Sequence, residues 1–153
     1  MNYYNPFQTL RLEVPEIHRE DIERYCQTQP GGGRSPSPDR APFARYVDMW
    51  FLAFCLGVRK GKPVEGGRRH TFIGGDILIR DPVRIELIQL VAIAHTKDAL
   101  VVGEPGKMMN LANDFAAAGI SEVLSLLDEG HAVPLWNLTE GLVGILETGT
   151  KAA

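Results

Sequence analysis

The pattern of hydrophobic and polar positions predicts a mainly helical chain. Its strongest segment lies near Pro42–Val58, where apolar side chains recur every three or four residues along one helical face. Further apolar residues continue around the other faces, so we expect this helix to be central and buried on most sides. Gly57 within it predicts either a close-packing position or an early end of the helix.

Further helices are predicted on both sides of this segment. Pro15 opens one over Glu16–Cys26. Asp81-Pro82 has the pattern of an N-cap followed by a first-turn proline, and it begins an apolar helix over Val83–His95 that we expect to pack on the central helix. Glycine stops and a polar cap at Asn137 predict three more, over Pro105–Ala118, Ser121–Glu129 and Leu138–Glu147.

Strand signals are few. Thr9–Val14 alternates apolar and polar residues, which predicts a short, half-buried strand. Apolar residues on both sides of Gly74-Gly75 predict a small β-hairpin, and Leu100–Val102 predicts another short strand. The predicted fold class is therefore mainly α (α+β): a helical domain around a central buried helix, with a short N-terminal strand and a small β-hairpin.

Length and composition predict one domain over residues 1–153, because 153 residues with 44% hydrophobic content can bury a core of their own. Residues 27–40 are rich in Gly, Pro and Ser and predict a flexible loop, and residues 148–153 predict a tail. No apolar run has the length of a membrane span, and the first residues do not resemble a signal peptide. We therefore expect a cytoplasmic protein without membrane contact, in which Cys26 and Cys55 are reduced core thiols.

Charge is distributed unevenly along the chain. Residues 1–80 carry twelve Lys and Arg against nine Asp and Glu, whereas residues 81–153 carry four against ten. Such a distribution favours a partner that contacts one end of the molecule, although a solvated basic loop is the alternative. The basic excess is concentrated in Arg59, Lys60, Lys62, Arg68 and Arg69.

Basic side chains in flexible segments can follow a phosphate backbone without reading bases. The N-terminal strand and the helices after it also resemble a ribbon–helix–helix unit, in which Thr9, Arg11 and Glu13 would face the major groove of DNA. Glu13 would oppose phosphates there, and the loop between the helices is long for that motif. We therefore add Arg11 to the five basic residues as candidates for binding DNA or a partner protein.

Asp48 is the one charge within the most apolar part of the central helix. A buried carboxylate without a partner is costly, so we expect a cation beside it. Arg45, one turn earlier, and Arg84, on the apolar helix after Pro82, are the natural partners in a structural ion pair. The alternative is that Asp48 serves as a catalytic acid.

No catalytic or metal-binding motif is recognisable. His18, His70, His95 and His131 do not share a metal-binding helical spacing, and the glycine-rich segments do not match a phosphate loop. Asp128–His131 could offer metal ligands, but it also has the pattern of an ordinary helix end. We therefore predict no cofactor and no metal and lean against an enzyme, while an active site built from scattered residues stays open.

Four segments carry a family resemblance: Pro42–Val58, Phe72–Asp76, Asp81–Leu87 and Ala112–Gly119. They resemble small proteins associated with bacterial DNA sulfur-modification (Dnd, phosphorothioation) defence systems. The resemblance implies an accessory factor that works with larger DNA-modifying or DNA-cleaving proteins. It supplies no catalytic residues.

Together these patterns predict a non-enzymatic accessory protein of a bacterial DNA-modification or phage-defence system. It would bind the DNA backbone or a partner protein through its basic loop. One alternative is a protein–protein scaffold or self-assembling subunit, including a homo-oligomer, that works through the acidic half, residues 81–153. The other is an uncharacterised enzyme that uses Asp48 or His95.

Overall fold

The structure, a computed structural model, describes residues 3–28 and 36–152. It confirms the mainly α (α+β) class, with several helices and one two-stranded antiparallel sheet. Within these residues, three 3-10 helices connect longer elements: Glu16–His18, Gly75–Arg80 and Ala99–Gly103. The strands and α-helices, in chain order, are β1 (Arg11–Pro15), α1 (Arg19–Tyr25), α2 (Tyr46–Lys60), β2 (Arg69–Gly74), α3 (Pro82–Thr96), α4 (Pro105–Asp128) and α5 (Pro134–Ala152).

The centre of the fold is the pair formed by α2 and α4, which make the most extensive contact between elements. Two glycines let their backbones approach closely. A Cβ atom on Gly57 would lie 1.8 Å from the Phe115 carbonyl oxygen, and one on Gly119 would lie 1.9 Å from the Ala53 carbonyl oxygen. Gly57 is therefore a close-packing position and not an early end of α2.

The central helix begins later than predicted, at Tyr46 and not at Pro42. Phe43 is held in extended backbone, because its N–H donates to the Tyr25 carbonyl at 3.3 Å and its carbonyl accepts from the Gln27 N–H at 2.8 Å. The helix continues to Lys60, where Gly61 closes it in the left-handed conformation. Of the predicted loop 27–40, residues 29–35 lie outside the described residues.

The predicted hairpin around Gly74-Gly75 is wrong. β2 pairs with β1, in the register Arg11 with Gly74 and Pro15 with Arg69, and the residues after Gly74 form a 3-10 helix. Gly75 donates its N–H to the Leu10 carbonyl at 2.8 Å, and a Cβ there would lie 2.1 Å from the Phe7 carbonyl oxygen. Gly75 therefore permits close packing under the N-terminal turn.

Several helix predictions are corrected by the structure. The segment Glu16–His18 is 3-10 before α1 begins, and Leu100–Val102 lies in a 3-10 helix and not in a strand. The two helices predicted around Gly119 are one helix, α4, because that glycine packs against α2. The predicted tail at residues 148–153 is helical as far as Ala152, and α5 begins at Pro134.

α3 does not pack mainly on α2 as expected; among the α-helices its main neighbour is α4. It buries one stripe of side chains, formed by Ile85, Ile88 and Ala92. Val83 and Leu90 on its other side are exposed, so the helix is less deeply buried than its composition suggests. Within the described ranges, no helix combines the length and apolar character needed to cross a membrane.

Candidate functional site

The predicted basic cluster is divided by the structure into anchored and exposed side chains. Lys60, at the end of α2, donates to the Ala118 carbonyl at 3.2 Å and lies 3.7 Å from the Glu122 carboxylate. Arg69, at the start of β2, donates to three backbone carbonyls, including that of Asn113, and to the Asp114 carboxylate at 3.1 Å. These two cations therefore hold the loop after α2 against α4.

Around Arg69 lies a polar pocket of about 290 Å³. Burial and the nearby carboxylates of Glu65 and Glu13 raise the pKa of Asp114, and the Arg69 guanidinium opposes that rise. Acidic groups therefore surround the anchored arginine on this side of the basic loop. The pocket is lined by Glu13, Glu65, Gly66, Gly67, Arg69, Asn110, Asn113 and Asp114.

Arg59, Lys62 and Arg68 are exposed, and the structure gives their side chains no ion pair with any residue in 3–28 or 36–152. They form the part of the predicted cluster that is open to a partner. Arg11 is also exposed, but it lies at the far end of the sheet, since Pro15 is the residue that pairs with Arg69. The structure therefore does not bring Arg11 into the loop cluster.

Asp48 lies in a network of four charges at the start of α2 and α3. Its carboxylate accepts from Arg45 at 2.9 Å and from Arg84 at 3.0 Å. Asp81, the N-cap residue of α3, accepts from Arg45 at 3.0 Å and makes no side-chain cap. Burial opposes ionisation of Asp48, but the hydrogen bonds from the two arginines prevail and lower its pKa. The arrangement connects the two helix starts and keeps Asp48 ionised.

We expect Asp48→Asn to lower the free energy of unfolding by about 1–3 kcal/mol at neutral pH, because it removes charge-assisted hydrogen bonds to two half-buried arginines. A lowered carboxylate pKa stabilises the fold above its ordinary value of 3.8, and this stabilisation is lost as the pH falls through the folded value. Urea unfolding of wild type and variant at neutral pH and at a pH well below 3.8 measures both effects. A difference that does not shrink on acidification would contradict the assignment.

Asp76→Asn is the control for this measurement. Asp76 is an exposed aspartate on the 3-10 helix after β2, outside the charge network. It should change stability by less than about 0.5 kcal/mol.

An apolar groove of about 660 Å³ lies between α2 and α5, and the sequence did not point to it. Its floor is the side of α2 that faces away from Gly57 and α4. Cys55 is exposed there, so the prediction that it is a core thiol is wrong, whereas Cys26 is buried beside Met49. The described residues that line this α2–α5 groove are Leu52, Cys55, Leu56, Arg59, Leu142, Ile145, Leu146 and Gly149.

α5 forms the other wall of the groove, and its first turns are firmly fixed. The Asn137 amide donates to the Leu127 carbonyl at 3.1 Å and to the Ala132 carbonyl at 2.9 Å. Gly141 allows α5 to lie close to the Leu126 side chain on α4. Beyond it, Val143 is 47% exposed and Leu146 is 69% exposed, so the second half of α5 presents apolar side chains to solvent.

The histidine and metal alternatives gain no geometric support. His95 is exposed at the end of α3, with its ring edge-on to Phe115 and the two ring centroids 5.4 Å apart. In the part of the chain that the structure describes, no three His, Cys, Asp or Glu side chains are grouped so that they could hold a metal ion. The Asp128 carboxylate accepts a hydrogen bond from the Tyr25 hydroxyl, so it connects α4 to α1. Burial, with this hydrogen bond, raises the pKa of Tyr25 to about 12.

Comparisons of the chain with profiles of known families, with curated proteins and with solved structures give no match. The resemblance to proteins of DNA sulfur-modification systems therefore stays a prediction.

Proposed function

We propose that this chain is a non-enzymatic accessory protein that binds a partner protein through the α2–α5 groove. The observation that supports this most directly is the uncovered strip on α2. A helix that is apolar on nearly every side is normally enclosed by other elements. Within the described residues, α4 covers one side of α2, whereas on the groove side Cys55 is exposed and Leu52 is half-buried.

The energetic argument favours a macromolecular partner. Fully burying a leucine, valine or phenylalanine side chain stabilises a complex by about 1.5–3 kcal/mol relative to leaving it in water. The groove offers several partly exposed side chains of this kind on two neighbouring helices. Contiguous apolar surface of this type on a folded domain is typical of a protein-binding site. The proposal corresponds to the scaffold alternative of the sequence analysis. Its binding surface is formed by α5, which belongs to the acidic half, together with α2.

The family resemblance suggests where to look for the partner. It implies a larger DNA-modifying or DNA-cleaving protein of a bacterial phage-defence system, acting in the cytoplasm. The proposal treats Asp48 as structural, because both adjacent arginines engage its carboxylate.

Co-expression of the chain with proteins encoded by neighbouring genes tests the proposal. We expect a complex that survives nuclease and high salt. Leu146→Glu places a charge on the groove wall at an exposed position, so it should weaken the complex about tenfold or more while the fold is kept. Affinity measured by calorimetry, with circular dichroism as the check on folding, gives the comparison.

Leu100→Glu is the matched control, because Leu100 is 81% exposed but lies on the 3-10 helix between α3 and α4, outside the groove. It should bind the partner as the wild type does. If Leu146→Glu and Leu100→Glu bind equally well, the groove is not the docking site.

A second candidate function, binding to the DNA backbone, is supported by the exposure of Arg59, Lys62 and Arg68. We expect wild-type affinity for duplex DNA to fall as salt rises. Changing all three residues to glutamine should flatten the salt dependence by about 0.9 in logarithmic slope for each phosphate that the variant no longer neutralises. Fluorescence polarisation over a salt series measures this slope.

A control triple variant, in which Arg80, Lys97 and Lys107 become glutamine, has the same change in net charge on other elements. It should retain the wild-type slope. Equal slopes for the two triple variants, or undetectable binding of the wild type, would reject DNA binding through the loop.

A further inference from the structure

Arg59 is the charged residue among the described side chains that line the α2–α5 groove. It is exposed, and no carboxylate within the described ranges forms an ion pair with it. The exposed acids of α5, Glu140 and Glu147, are outside the lining. The groove therefore combines an apolar floor and walls with one positive charge with which no carboxylate of the described residues forms an ion pair.

The positions along the two walls repeat with helical spacing. On α2, Arg59 follows Cys55 by four residues and Leu56 by three, so the three share one face. On α5, Leu142, Leu146 and Gly149 follow at intervals of four and three. Two neighbouring helices with such faces form a trough into which the side-chain ridge of a third helix can pack.

We infer that the occupant of the groove is an amphipathic helix of a partner protein that carries a carboxylate beside its apolar face, and that this carboxylate binds Arg59. The inference rests on the proposed function and adds the chemistry of the partner. A partner that binds through phosphate groups would leave the leucine-rich walls without apolar contacts. A purely apolar helix would leave the Arg59 guanidinium without a counter-charge. An acidic amphipathic helix uses both features.

Two synthetic helical peptides provide the probe. Both carry the same leucine face, and they differ in having either glutamate or lysine at the positions that flank it. We expect the full chain to bind the glutamate peptide about two- to fivefold more tightly at low salt, the range for a partly exposed ion pair at the rim of an interface. Arg59→Glu should reverse this preference, whereas Arg11→Glu, which places the same charge change on β1, should keep it.

The possible outcomes distinguish a failure of the inference about the carboxylate from a failure of the groove as a docking site. Equal affinity for the two peptides, a preference that Arg59→Glu does not alter, or no binding of either peptide would overturn the inference about the carboxylate. The groove would survive as a docking site if Leu146→Glu still weakened the complex with the natural partner. If that variant also had no effect, the proposed function would fail as well.

Self-association is tested by a separate measurement. Light scattering of the chain alone shows whether a second copy fills the groove. A dimer that Leu146→Glu dissociates, and that the glutamate peptide does not displace, would overturn the inference of a foreign partner and identify the occupant as the chain itself.

Discussion

Gly119→Ala is expected to lower the free energy of unfolding by about 3 kcal/mol or more, the upper part of the range for overpacking a close contact. The added methyl group would lie 1.9 Å from the Ala53 carbonyl oxygen and 2.7 Å from the Gly57 backbone nitrogen. Both are backbone atoms of α2, so no side chain can rotate away to make room. α2 and α4 would have to separate, and the packing between them would loosen.

Gly144→Ala is the matched control for this prediction. Gly144 is a helical glycine in α5, and a Cβ there meets nothing within 4 Å. The change should therefore stabilise the protein by about 0.5–1 kcal/mol through helix propensity. Urea unfolding followed by circular dichroism measures both variants. If Gly119→Ala were as stable as the wild type, the close approach of α2 and α4 would be wrong.

Asn113→Ala should destabilise the fold by about 3–5 kcal/mol, because it leaves three buried or partly buried polar groups, two on β1 and one on α2, without this partner. The Asn113 side-chain oxygen accepts from the Glu13 N–H at 2.8 Å and from the Trp50 indole N–H at 3.1 Å. Its amide donates to the Arg11 carbonyl at 3.0 Å. A single side chain of α4 thus holds β1 and α2 together.

Two comparisons separate this role from the loss of packing. Asn110→Ala changes an exposed asparagine one turn earlier on α4 and should alter stability by less than about 0.5 kcal/mol. Trp50→Phe should cost less in the Asn113→Ala background than in the wild type, because the indole N–H is already without its acceptor. Additive costs would show that the hydrogen bond contributes little.

The polar residues that organise the core were only partly visible in the sequence. The sequence predicts a cation beside Asp48, because a charge inside an apolar helix needs a counter-charge. The structure places its carboxylate between Arg45 and Arg84. Asn113 gave no such signal. Asparagine is unremarkable in a helix, and its partners are about a hundred positions away in the chain for β1 and 63 away for Trp50. Only the packing of the elements reveals its role.

The glycines show how tertiary contact overrides a local signal. Gly119 and Gly75 have the sequence context of a helix stop and of a hairpin turn. In the structure both lie where another backbone passes within contact distance, so both chain segments take a different course from the predicted one. Sequence rules for glycine describe its backbone conformation. They do not include a neighbouring backbone that occupies the space where a side chain would lie.

The candidate binding surface likewise could not be predicted from the sequence pattern. The cluster from Arg59 to Arg69 is continuous in the sequence, yet Lys60 and Arg69 are engaged by α4. The groove needs α5 beside α2, although α2 ends at Lys60 and α5 begins only at Pro134. Long-range placement of this kind has no periodic signature.

The existence of the central helix was determined by the sequence alone: the repeat of apolar residues from Tyr46 to Val58 predicts a helix that is buried on most sides, because a helix places residues three and four apart on one face. The mainly helical class follows for the same reason. Which side of α2 stays uncovered was decided only by the tertiary structure. Gly57 and Gly119 allow α4 to pack closely on one side of α2. The position of α5 is fixed at Asn137 and Gly141, and it leaves Cys55 and Arg59 facing an open groove.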